Sequence, residues 1–180
     1  AADQLTDDPE VETLAGAAGS SATTDGTGTS ARFTKPNDIT SDGTNLYVSQ
    51  NNHTIRKIVI SSGVVTTLAG SGSTGSADGT GTSATFNETN SITTDGTNLY
   101  VGDMKNHTIR KVVISTGVVT TLAGSAGSSG SADGTGTSAT FNEPAGITTD
   151  GTNLYVGDQN NHTIRKVVIS SGVVTTLAGS

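Results

Sequence analysis

The chain of 180 residues has no cysteine and no tryptophan, and only three prolines, three phenylalanines and three tyrosines. Without cysteine there is no disulfide framework, no thiol nucleophile and no thiolate metal site. With aromatics at 3%, a core has to be assembled from Val, Ile, Leu and Ala. Basic residues are also scarce: nine Lys and Arg stand against sixteen Asp and Glu, for a net charge of −7. A non-specific nucleic-acid binder needs a basic surface to displace counterions, so that class is set aside. No apolar run approaches a membrane span and no signal-peptide pattern is visible, so membrane insertion is not expected. Helical periodicity of useful length is missing as well. The apolar fraction is 31%, and 24 glycines bring it close to the globular norm.

What is present is repetition, which outranks local propensity as a signal. Ile92–Gly124 and Ile147–Gly179 differ at three of 33 positions, and Ile39–Gly70 is a more diverged copy. His53, His107 and His162 recur, as do Phe33, Phe86 and Phe141. Within one unit four short strands are expected: A around Ile147 and Thr148, B at Leu154–Val156, C at Thr163–Ile169 and D at Val173–Leu177. Val, Ile and Thr dominate them, and Asp-Gly and Ser-Gly turns separate them, which are hairpin signals. Such a four-stranded antiparallel sheet is apolar on both faces and is buried only by stacking around an axis, as in a β-propeller. The fold class is therefore all-β, with three propeller blades: residues 17–70, 71–124 and 125–180. Residues 1–16 form an N-terminal segment in which Val11–Gly16 repeats strand D without A, B or C before it.

Phe141-Asn142-Glu143-Pro144-Ala145-Gly146-Ile147, Leu154-Tyr155-Val156-Gly157-Asp158 and Asn161-His162-Thr163-Ile164-Arg165-Lys166 resemble the NHL-repeat propellers. Val174–Gly179 and the Ala132–Gly136 tract resemble their long-repeat bacterial branch. The chain departs from that pattern with Thr after each Asn-His, with Ser49-Gln50 in the first copy, and with Thr89 where Pro36 and Pro144 stand in the others. The resemblance implies the fold and leaves activity open, because propellers host unrelated functions.

Three blades are too few for a ring, which takes four to eight. Two chains meeting head to tail would make six blades about a two-fold axis, so a homodimer is expected. Strand direction puts the B–C turns and the long D–A connections on one face. That face carries the binding candidates Asn52, His53, Asn106, His107, Asn161, His162, Asp103 and Asp158. Asp25, Asp78 and Asp133 in the D–A connections are thin calcium candidates, one carboxylate per loop. No other cofactor is expected. For Asn-His and Asp the structural reading comes first, since these residues suit turns. Asn37, Asp38 and Asn90 differ between copies and are expected just before strand A, near the axis. Gly79–Ala84 and its copies match a dinucleotide fingerprint, but no helix follows, so the match carries no function. The recurrent Arg-Lys pairs on strand C are expected to supply solubility and edge protection.

No nucleophile–base pair or paired carboxylates are visible. The leading expectation is a non-catalytic binding or scaffold propeller, a bacterial extracellular or cell-surface module with a protein or carbohydrate ligand. Two alternatives stand beside it. One is a metal-dependent lyase or hydrolase with its site near the axis. The other is an engineered or excerpted fragment with no role beyond folding and assembly.

Overall fold

The structure, a computed structural model, describes residues 11–179. The described chain is all-β and forms three antiparallel sheets in sequence. The first holds β1 (Gly26–Thr27), β2 (Pro36–Ser41), β3 (Asn45–Gln50), β4 (Thr54–Val59) and β5 (Val64–Ala69). The second holds β6 (Gly79–Thr80), β7 (Thr89–Thr94), β8 (Asn98–Asp103), β9 (Thr108–Val113) and β10 (Val118–Ala123). The third holds β11 (Gly134–Thr135), β12 (Pro144–Thr149), β13 (Asn153–Asp158), β14 (Thr163–Val168) and β15 (Val173–Ala178). Within each sheet the long strands form a meander, and the short first strand pairs with the last.

Each sheet therefore has five strands where four were expected. The extra one is the Gly-Thr pair of the connection, with Gly79 opposite Val119 and Thr80 opposite Val118. This also corrects the placement of the Ala-Asp-Gly-Thr tract. The connection leaves the end of one blade where the B–C turn lies and runs along the outer edge of the next. There it reaches the far turn, with the Gly81 N–H bonded to the Gly117 carbonyl at 2.9 Å. It then returns to start the inner strand. Strand A is also longer than expected. Asn37-Asp38 and Asn90 lie inside it, at a β-bulge between Pro36 and Asp38 and between Thr89 and Ser91, rather than before it.

Residues 1–10 of the N-terminal segment lie outside the described residues. Val11–Gly16 is not a strand. Its sequence matches strand D, but among the described residues no strand pairs with it.

Blades stack through apolar clusters. Tyr47, Ile55 and Ala69 of the first blade meet Phe86, Ile92, Leu99, Val101, Val112 and Val119 of the second. Tyr100, Ile109 and Ala123 of the second meet Phe141, Leu154, Val156, Val167 and Val174 of the third. Fully burying one such side chain is worth about 1.5–3 kcal/mol, so these two interfaces hold the stack. Gly124 shows how tight the chain is where the outer strand ends. Its φ is +94°, and a methyl there would collide with the His107 carbonyl and lie 2.9 Å from Thr108 Cα.

The A–B turns are built identically. The Asp42 carboxylate accepts the N–H groups of Thr44 and Asn45 and the Tyr47 hydroxyl, and Asp95 and Asp150 repeat the pattern. Burial would raise the Asp42 carboxyl, but the Asn45 N–H, the Tyr47 hydroxyl and the Thr44 N–H hold it well below the usual range. Burial likewise opposes, and the Asn98 N–H and Tyr100 hydroxyl outweigh it, at Asp95. At Asp150 the N–H groups of Asn153 and Thr152 lead the same shift. A carboxyl with a depressed folded-state value stabilises the fold above its unfolded value of about 3.9, and that stability is lost as pH falls through that value toward the folded one. The loss of these turns will therefore lower the urea midpoint as pH falls below about 4. The triple variant Asp42→Asn, Asp95→Asn, Asp150→Asn will show a shallower acid limb. An unchanged slope would remove these turns as the cause.

Candidate functional site

The B–C turn of each blade gathers most of the polar residues the sequence singles out. In blades two and three, strand B ends at Asp103 or Asp158, a 3₁₀ turn follows (Met104–Asn106, Gln159–Asn161), and a histidine closes it in the left-handed region. The corresponding turn of blade one is a residue shorter, and His53 takes the same conformation at φ 64°. A left-handed non-glycine residue costs about 1–2 kcal/mol, so something must hold it there.

For two of the three histidines that holder is the next blade. His53 Nδ1 accepts the Glu88 N–H at 2.9 Å, and His107 Nδ1 accepts the Glu143 N–H at 3.1 Å. An accepting Nδ1 belongs to a neutral ring with its proton on Nε2. His162 is exposed, with no further blade beside it among the described residues. The rings of His53 and His107 are thus interblade pins, and the three histidines lie one blade apart and do not converge.

Beneath them, Asp103 and Asp158 are completely buried. Asp103 accepts the Asn87 N–H at 2.7 Å, Asn106 Nδ2 at 2.8 Å and Arg110 Nη1 at 2.8 Å. Burial pushes its carboxyl up, against the pull of Asn106, Asn87 and Arg110. Asp158 repeats the set with Asn142, Asn161 and Arg165. In blade one Gln50 stands in the same place. Its Oε1 accepts the Thr34 N–H and its Nε2 donates to Thr54 Oγ1, both at 2.8 Å. Asn106 and Asn161 also donate to the Gly75 and Gly130 carbonyls, tying each turn to the connection. Asn52 donates to Thr23 Oγ1.

The arginines are the residues that sequence reasoning misplaced. Arg56, Arg110 and Arg165 are fully buried, not edge charges. Arg110 sits 5.1 Å from the centroid of Phe86. Its Nη1 donates to the Thr85 carbonyl as well as to Asp103, and its Nη2 donates to the Ala77 carbonyl and to Asp78 Oδ1 at 2.8 Å. Arg56 with Asp25 and Arg165 with Asp133 do the same. Each guanidinium thus pins both arms of a long connection to its blade. The three calcium candidates are half-exposed, and each carries this ion pair. The signal was in the sequence: each Phe, Asp and Arg recurs with nearly the same separation.

At the axis, the bulge turns strand A side chains toward the next blade. Asn37 Nδ2 donates to the Thr89 carbonyl at 2.9 Å, and Asp38 Oδ2 accepts the Ile92 N–H at 2.9 Å. Asn90 Nδ2 lies 3.4 Å from the Ala145 carbonyl. Among the described residues no three His, Asp or Glu side chains converge as a metal site, and no helix is long and apolar enough to cross a membrane.

Among the described residues, shallow hollows lie on both terminal blade faces. One of about 270 Å³ is lined by Ala15, Phe33, Asn37, Ile39, Val48 and Ile58. The other, about 350 Å³, is lined by Ala145, Gly157, Gln159, His162, Thr163 and Ile164.

No family model matches the chain. Human NHL repeat-containing protein 2 is 34% identical over 135 residues, which is 69% of this chain and 19% of that protein. The chain thus spans about a fifth of the length of this curated relative. An auxiliary nutrient binding protein from Bacteroides thetaiotaomicron superposes with a TM-score of 0.63 at 25% identity, over 78% of this chain and 37% of that one. One from Bacteroides ovatus gives 0.60 at 28%, over 76% and 36%. The curated relative is an animal protein and the solved ones are bacterial, so neither lineage is singled out.

Proposed function

Since the chain belongs to the NHL-repeat β-propellers, we propose that it is a non-catalytic binding module whose working form is a ring closed by a second copy. The observation that carries this is a mismatch between identical positions. Ile55 and Ile109 are fully buried, while Ile164 is 43% exposed; Ile92 is 3% exposed, while Ile39 is 54%. The exposed pair lies on the two terminal faces, which repeat the two halves of the internal interfaces. Exposed apolar surface of this kind marks an association site.

Polar features of the interface recur at these ends as well. His162 keeps the left-handed conformation of the interblade pins, and Lys35, the counterpart of Glu88 and Glu143, keeps theirs at φ 46°. Docked head to tail, His162 would accept the N–H of Lys35 from a second copy. The ligand surface is the face of the B–C turns, where Lys105, Gln159, Asn160 and the exposed serines of the connections stand. Their chemistry suits hydroxyl-rich or peptide ligands. The nutrient binding named for the two Bacteroides proteins supports a binding role.

Sedimentation equilibrium tests the assembly. A mass of twice 17.9 kDa is expected at micromolar concentration, and a monomer up to millimolar concentration would overturn closure by a second copy. Glycan and peptide arrays test the ligand class. Signals lost on replacing Lys105 and Asn160 together would support this face, and signals unaffected by that change would move the site elsewhere.

A further inference from the structure

The seat on blade one that a second copy would need is already occupied. Gly16 N–H donates to the Gly28 carbonyl at 3.1 Å, as Gly70 donates to Gly81 and Gly124 to Gly136, both at 3.1 Å. A methyl on Gly16 would meet Phe33 at 3.1 Å, as one on Gly124 would meet Phe141 at 3.2 Å. A methyl on Gly63 would lie 3.3 Å from the Leu14 carbonyl, as those on Gly117 and Gly172 would lie 3.1 Å from the Leu68 and Leu122 carbonyls. Ala15 packs on the apolar face of blade one with Phe33 and Leu46. Three independent contacts therefore place Leu14-Ala15-Gly16 where the outer-strand end of a preceding blade belongs. Leu177-Ala178-Gly179 has the same sequence and lies exposed at the other end of the chain.

From this coincidence of register we infer that Leu14–Gly16 is a removable stand-in for the Leu177–Gly179 end of a second copy, so that ring closure is an exchange of one Leu-Ala-Gly end for another. The inference rests on the closure reading above. The two tripeptides compete for one seat, so both cannot hold it. The stand-in is the weaker occupant. Among the described contacts it has one backbone bond of its own, Val11 is 95% exposed and Leu14 is 40% exposed. The incoming end arrives as part of a paired strand, with Ala178 laddered to Ile164, and brings Ile164 and Tyr155 with it. The segment thus covers part of the blade-one face in the single chain and sets the threshold concentration for assembly.

The test compares dimer dissociation constants by sedimentation velocity for the full chain, for full-length Ala15→Glu, and for a chain lacking residues 1–16. Ala15→Glu unseats the stand-in without removing a strand, and far-UV circular dichroism checks folding of both variants. Both are expected to dimerise about thirtyfold more tightly than the parent, the equivalent of about one lost hydrogen bond in the competing state at each of the ring's two seats. Equal dissociation constants for all three overturn the exchange while leaving closure standing. Weaker dimers from both variants also overturn it, and mean that the segment completes the partner's last blade instead. No association by any of the three overturns closure and the exchange with it.

Discussion

Arg110→Ala will lower the unfolding free energy by about 3–5 kcal/mol, because it leaves the buried Asp103 carboxylate without its counter-charge. Domains of this size are stable by about 5–15 kcal/mol in total, so the second blade will be near its limit. Asp103 would retain Asn106 and the Asn87 N–H, which are dipoles and do not neutralise it. The connection also suffers. Arg110 holds the Ala77 and Thr85 carbonyls and Asp78 at once, so its loss frees both arms of residues 71–88. The companion variant, Asp103→Gln, will cost clearly less, and blade one is the reason. There Gln50 accepts the same N–H, and Arg56 keeps its bonds to the Arg32 and Thr24 carbonyls and to Asp25. Urea unfolding followed by circular dichroism, with limited proteolysis between residues 71 and 88, checks both. Equal losses for the two variants would mean that the charge pair is not what stabilises this site.

The contrast between Gln50 and Asp103 shows where sequence reading worked and where it stopped. Near-identical repeats made the blade and its meander plain, because local signals agreed in every copy. The Gly-Thr strand escaped notice because two residues, one of them glycine, are too short to show a period-two pattern; its pairing with Val118 and Val119 accompanies the guanidinium that draws the connection onto the blade. Adjacent Arg and Lys on a strand point to opposite faces, and a propeller blade has a neighbour on each face. The arginine is the one that its blade's connection covers in all three copies, and the fixed separation of Phe86, Asp78 and Arg110 is its trace in the sequence. The histidines were placed on the correct turn, but a turn position alone does not say what lies across from it. Their partner is a backbone N–H of the next blade, visible only once the blades are stacked. Val11–Gly16 shows the converse: a strand sequence with no paired strand among the described residues keeps only its last contacts.

Ile109→Asp and Ile164→Asp change the same position of the repeat and will have opposite consequences. Ile109 is fully buried between blades two and three. A carboxylate there forfeits the apolar contact and has no partner, a combination that will cost over about 4 kcal/mol and leave the chain unfolded or molten. Ile164 is 43% exposed, so in the single chain its replacement will cost below about 1 kcal/mol. In the closed ring the same side chain would lie where Ile109 lies now. A two-fold ring uses each terminal face twice, so every loss at that contact counts double. Two losses of about 1.4 kcal/mol each correspond to a hundredfold weaker dimer. Ile164→Asp should therefore unfold in urea like its parent when both are monomeric, and should remain a monomer at concentrations where the parent dimerises. A variant that dimerises normally would place the partner on another surface. A variant that loses fold and assembly together would mean that Ile164 already supports the single chain, against its exposure.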